Sequence, residues 1–191
     1  MNIDELIKKV EGIGGIVWRT PFLLNIAAFR NLNNPDQWND KIVYYYWDES
    51  GGLHYNEIME ATTDPGIDYL KNPMNSSGCA IICEGWHRKL WKLGVHKGYK
   101  ALQQYSPVKV YRDNTKDSHP DINKSTIEEG MFGINLHHAG TNKNSPSPKV
   151  STWSGGCCVI RRIDDWNDFI NIVQRCYDHG QRYFSLALFN V

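Results

Sequence analysis

Lys41-Ile42-Val43-Tyr44-Tyr45-Tyr46-Trp47, then Asp48-Glu49-Ser50-Gly51-Gly52, then Leu53–Ala61: a β-branched and aromatic run, a polar turn ending in glycine, and a second run. Rings and Cβ-branched side chains fit a pleated surface, and Asp/Ser/Gly clusters close hairpins. The stretch predicts two antiparallel strands. The same grammar recurs outward in both directions. Ala80–Cys83, Trp91–Val95, Val108–Tyr111, Gly133–Leu136 and Tyr183–Phe189 read as further short strands, punctuated by Asp64-Pro65-Gly66, Asn72-Pro73 and Ser77-Gly78. Helical spacing occurs twice. Ile3, Leu6, Ile7 and Val10 give a helix over residues 2–11, stopped by Gly12, Gly14 and Gly15. Trp166, Phe169, Ile170, Val173, Cys176 and Tyr177 give another over Asp165–Asp178, with Asp164 as cap and Gly180 as stop. The reading is mainly β with a few helices (α+β), a single domain over 1–191 in which 1–15 form an N-terminal helix and linker.

The chain's 191 residues suffice for one full core. Twenty-one Lys and Arg balance twenty-one Asp and Glu, so no net field holds nucleic acid. Residues 96–191 carry 12 basic and 9 acidic groups, an excess suited to an acidic substrate. The longest apolar stretch, Pro21–Phe29, contains Asn25 and falls well short of the ~20 residues of a membrane helix, so no integral membrane segment is expected. Met1-Asn2-Ile3-Asp4-Glu5 is acidic where an export signal is basic. The expectation is cytoplasmic synthesis, with any release to periplasm or wall by other means. Five cysteines, an odd number, argue against a disulfide framework and for a reduced compartment or a reactive thiol. Seven Trp and ten Tyr suit a sugar platform, but in a sheet-rich domain they more often fill core and strand faces.

Chemistry concentrates in Gly133–Ile160. A strand delivers His137 and His138 to a Ser- and Pro-rich loop, with Thr141–Pro148 reading as flexible, and that loop returns to Ser154-Gly155-Gly156-Cys157. Two glycines before a cysteine permit a sharp turn and leave room for a carbonyl beside the thiol. A neighbouring imidazole lowers a thiol pKa, and the thiolate is the attacking form. Nucleophile, base and backbone N–H groups are what cysteine acyl transfer needs. Other readings compete. Cys158-Val159-Ile160 looks like a core strand, and cysteine is often only a small hydrophobe. His137, His138, Cys157 and Cys158 are all zinc-ligand types, though their spacing matches no usual frame and adjacent cysteines on a strand face opposite ways. Asp113, Asp117 and Asp121 fall at positions one, five and nine of a calcium-loop pattern that has Ser118 and Lys124 in place of its Gly and Glu. Cys79 and Cys83 are spaced C-x₃-C, not as the C-x-x-C of a redox motif.

His, a gap of fifteen or sixteen residues, then Ser-x-Gly-Cys resembles the active-site signature of the L,D-transpeptidase catalytic (YkuD-like) domain. More loosely, Ala61–Gly66, Asn72–Asn75, Gly94–Leu102 and Tyr111–Asn114 resemble a divergent bacterial and phage-borne subgroup. The resemblance implies a β-sandwich or partly open barrel with the cysteine in a pocket at one end. It implies action on peptidoglycan stem peptides, as an L,D-carboxypeptidase, endopeptidase or transpeptidase, without a cofactor. Cys157 matches the nucleophile and His137 the base. His138 takes the next position, where the imidazole is helped into place, and Ser154 and Gly156 match the motif. The N–H groups of Gly155, Gly156 and Cys157 are the natural oxyanion donors. Gly155 stands where the family has His, and Val159 where it has Arg or Asn. Arg161 or Arg162 is a substitute contact for a substrate carboxylate. His96, Lys97, Tyr99, Arg112 and Trp153 are further candidates for lining the substrate pocket. A non-catalytic wall-peptide or protein-binding module on the same fold is the alternative.

Overall fold

At the Asp48 turn, one carboxylate oxygen accepts from Ser50 N (2.9 Å), Ser50 Oγ (2.6 Å) and Gly52 N (2.8 Å). Strand β2 (Asp40–Trp47) therefore folds back on β3 (Leu53–Thr62), as the opening stretch predicts. The computed structural model describes all residues, 1–191, and is mainly β with three helices. The other elements are α1 (Ile3–Gly12), β1 (Asn25–Arg30), α2 (Ile67–Lys71), β4 (Cys79–Ile82), β5 (Gly85–His96), β6 (Tyr99–Gln104) and β7 (Val108–Asp113). After them come β8 (Ile127–Gly130), β9 (Leu136–His138), β10 (Cys158–Ile160), α3 (Ile163–Asp178) and β11 (Phe184–Asn190).

Eight strands close a barrel in the order β1-β11-β5-β6-β9-β10-β3-β2, and β4-β7-β8 form a separate three-stranded sheet. The sandwich or partly open barrel implied by the resemblance is replaced by closure. The reason is β9, which pairs parallel with β10 and meets β6 at one position, Leu102 opposite Leu136. Strand β1 was expected only as an apolar stretch. Ile26 and Ala28 enter the main core while Ala27 and Phe29 meet α1, so both faces are buried and no alternation marks it.

A cluster of 29 buried residues joins Ile42 and Tyr44 of the barrel, Ala80 and Ile82 of the small sheet, and Trp166, Phe169 and Val173 of α3. Helix α1 lays Leu6, Ile7 and Val10 on the opposite barrel face. Asn2 caps α1 reciprocally with Glu5. The cap expected for α3 differs: Arg162 takes that position without a side-chain bond. Asp164 and Asp165 lie in the first turn, where negative charge suits the helix dipole. No helix is long and apolar enough to cross a membrane.

Candidate active site

Strands β9 and β10 run parallel with Val159 beside His137 and Ile160 beside His138. Side chains alternate along a strand, so consecutive histidines separate to opposite faces. Leu136, Cys158 and Ile160 enter the main core. His138 follows them inward, its ring 4.1 Å from Tyr99 and 5.7 Å from Trp166, with Nδ1 buried and unpartnered. His137 shares the other face with Val159, against which Cys157 packs.

Hairpin β5–β6 supplies the facing wall. Lys97 (φ +47°) and Gly98 (φ +89°) both adopt left-handed backbone, as a two-residue turn between twisted strands requires. Across it His96 stands opposite Tyr99. The His96 ring stacks on His137 with centroids 4.4 Å apart, and Tyr99 Oη lies 3.4 Å from His137 Nδ1. His137 Nδ1 is 2.9 Å from the His138 carbonyl oxygen. Donation to that carbonyl places the proton on Nδ1 and leaves Nε2 as the acceptor. Nε2 has no protein partner and is not sealed from solvent. Burial, offset in part by the His138 carbonyl, pulls the His137 pKa down to about 4, so the ring is neutral at pH 7.

The cysteine turn is built by its neighbours. Ser154 Oγ donates to the Cys157 carbonyl (2.7 Å) and accepts from Gly156 N (3.2 Å), while Gly66 N holds the Ser154 carbonyl at 2.8 Å. Gly156 sits at φ +132°, and a Cβ there would run into the Ala80 carbonyl oxygen. Of the three expected oxyanion donors, Gly156 N is thus engaged, while Gly155 N and Cys157 N donate to no protein group. The half-buried Cys157 thiol donates to the Gly133 carbonyl (3.2 Å), not to either histidine. Desolvation raises its pKa, against a backbone hydrogen bond from Asn135 and the charge of Lys97. The lowered thiol pKa expected from a neighbouring imidazole is therefore absent. The resting pair is thiol and neutral imidazole, because burial outweighs the favourable groups around each.

The structure brings Cys157, His137, His96, Lys97 and Tyr99 to one locality, with Ser154, Gly155 and Gly156 shaping the turn. Arg112 lies further off, lining a cavity of about 340 Å³ that opens beside Gly155. Arg161 is not a free cation: its Nε donates to Ser147 O (2.8 Å) and it pairs with Glu60, which Arg162 also approaches. Trp153 rests on Gly140 and does not line the cavity. The expected flexible loop has its returning end pinned, since Ser147 O accepts from both Trp38 Nε1 and Arg161 Nε. His138 and Cys158 face away from His137 and Cys157, which divides the four zinc-ligand types, and no group of three or more His, Cys, Asp or Glu is gathered for a metal. In the calcium-like loop, Asp113 already accepts from Thr115 N, Thr115 Oγ1 and Asp121 N. Sequence reading assigned no role to Asn135, whose backbone approaches the sulfur and whose side chain lies 3.4 Å from His96 Nδ1. The polar residue inside an apolar strand, two before His137, was its signal. No family model, curated protein or solved structure matches this chain.

Proposed function

We propose that the protein is a cysteine acyl-transfer enzyme acting on peptidoglycan stem peptides, as an L,D-carboxypeptidase or endopeptidase. One observation carries the reading: the His137 Nδ1 contact to the His138 carbonyl leaves Nε2 as a base on the face of the sheet that Cys157 shares. The stem-peptide substrate rests on the resemblance of His137 and Ser154-Gly155-Gly156-Cys157 to the L,D-transpeptidase signature.

In the proposed reaction the thiol turns from the Gly133 carbonyl and gives its proton to His137 Nε2 as sulfur attacks the scissile carbonyl carbon. Gly155 N and Cys157 N stabilise the oxyanion. Collapse breaks the C–N bond, the leaving amine takes the proton from Nε2, and a thioester remains on Cys157. Water then attacks, passing one proton through Nε2 to the sulfur, and the acid product leaves with the thiol restored. An incoming amine in place of water gives transpeptidation.

Digestion of purified muropeptides, with the products weighed by mass spectrometry, tests this. Wild-type protein should release the residue beyond the attacked centre, Cys157→Ala should not, and Cys158→Ala should retain turnover. Full turnover by Cys157→Ala would end the proposal. A second reading, a binding module without turnover, is favoured by the thiol's bond to Gly133 O instead of imidazole. Under that reading muropeptides bind wild type and Cys157→Ala alike and emerge unchanged.

A further inference from the structure

Two cavities share a wall residue, and the first of them opens beside the cysteine turn. The first, about 340 Å³, runs from Gly155 between Met74 and Phe132, with Arg112 in its wall. The second, about 410 Å³, is lined only by polar residues and a proline, including Lys71, Asn114 and Lys116. Asn75 lines both, so the two cavities adjoin at that residue, one with an apolar wall and the other with a basic one, and together make a divided groove.

The groove's chemistry is directional. Met74 and Met131 are 76% and 57% exposed at its apolar end, and flexible thioethers in water are adaptable contacts for aliphatic chain. No carboxylate lines either cavity. Arg112 is partly neutralised by Glu128 at 2.8 Å, but neither Lys71 nor Lys116 pairs with an acid. Lys116 stands on left-handed backbone (φ +59°) at this basic end. Two unpaired ammonium groups with asparagines between them suit a carboxylate on a polar chain.

We infer that this groove binds the acidic flank of the peptide substrate, aliphatic portion against Met74 and Phe132, carboxylate between Lys71 and Lys116. The inference rests on the acyl-transfer reading for its origin at Gly155, which lines the first cavity and whose N–H donates to no protein group.

The test is binding, independent of turnover. A fluorescein-labelled stem tetrapeptide with free carboxylates and its carboxamide form are titrated into Cys157→Ser protein at low salt. The carboxylate form should bind at least about tenfold more tightly, a factor in keeping with charge-assisted contacts. Lys71→Gln/Lys116→Gln in the same background should erase the difference, and its urea unfolding midpoint should match that of Cys157→Ser alone. Equal binding of the two forms, or a preference that survives the double substitution, overturns the groove assignment. The two readings fail separately. Carboxylate-dependent binding without turnover by wild type removes the enzyme and keeps the groove, whereas turnover without carboxylate preference removes the groove alone.

Discussion

His137 Nδ1 lies 2.9 Å from the carbonyl oxygen of His138, so the imidazole is oriented by the backbone of its own neighbour. The role of His138 is therefore divided: its carbonyl aims the His137 ring, while its side chain fills space between Tyr99 and Trp166. His137→Ala should cost about 10²–10⁴ in kcat/KM with little change in unfolding midpoint. His138→Ala keeps the carbonyl and should retain most turnover while losing about 1–3 kcal/mol of stability through the cavity it leaves. Muropeptide turnover and urea denaturation on both variants check this, and the reverse pattern would transfer the base to His138.

Cys157 and His137 are shifted away from an ion pair, with a definite consequence for pH. Burial raises the thiol pKa, so below it the thiolate fraction climbs about tenfold per pH unit. Iodoacetamide labelling of Cys157, followed by peptide mapping, should accelerate through pH 9 without levelling. Lys97 favours the thiolate. Lys97→Gln should therefore slow labelling severalfold at fixed pH. Because His137 titrates near 4, the acid limb of turnover should fall there and not near 6.5. A labelling plateau below pH 8 would show that a thiolate–imidazolium pair forms instead.

Adjacent glycines in the turn differ in what they tolerate. Gly156 combines φ +132° with the Ala80 carbonyl behind it, so Gly156→Ala strains backbone against backbone. A loss of about 3 kcal/mol or more is expected. A Cβ on Gly155 presses on the tip of Met74, at 2.8 Å, a flexible exposed side chain that can move, and otherwise makes ordinary contact with the Tyr69 ring at 3.6 Å. Gly155→Ala should fall within about 1 kcal/mol of wild type. Thermal or urea unfolding of the pair separates them, and equal losses would contradict the geometry.

These contrasts also explain what the sequence made legible. Hairpin β2–β3 announces itself by its β-branched and aromatic run and its polar turn, although β2 is buried on both faces, and helix α3 by one buried face that writes a period into the chain. Strand β1 is buried on both sides and β9 is only three residues long, so neither writes one. Barrel closure depends on that short strand and was not readable locally. Within the candidate site, residue type, order and the turn glycines single out Cys157 and His137, and the fold brings both to one region beside Tyr99. The pKa directions were not, because desolvation depends on how Tyr99, His96 and the Gly133–Asn135 backbone pack around the pair. Arg161 reads as a free cation until β10 brings it against Glu60 of β3.

A buried charge cluster beside the barrel carries the last prediction. Arg30, fully buried, donates from Nε to Thr63 Oγ1 (3.0 Å), from Nη1 to Ile82 O (2.8 Å) and from Nη2 to Thr63 O (3.0 Å). Its guanidinium approaches Asp64 Oδ1 at 2.7 Å, but without hydrogen-bond geometry. Burial pushes the Asp40 carboxyl up as well, but it accepts from Asn31 N (2.7 Å), Thr63 N (2.6 Å) and Thr63 Oγ1 (2.7 Å), so it is the better stabilised anion of the two. Asp64, desolvated and facing Asp40, is pushed up to about 7 despite Arg30. The folded protein then holds a proton on Asp64 that the unfolded chain, with an ordinary carboxyl, releases near 4. That contribution to stability is complete below pH 4 and is lost as pH rises through 7. Asp64→Asn should therefore gain stability relative to wild type between pH 5 and pH 8. Asp40→Asn, which turns an amide N–H toward buried donors, should lose about 1–3 kcal/mol at every pH. Urea unfolding across that range gives the wild-type-minus-variant difference, and a flat difference for Asp64→Asn would show that Asp64 is ionised throughout.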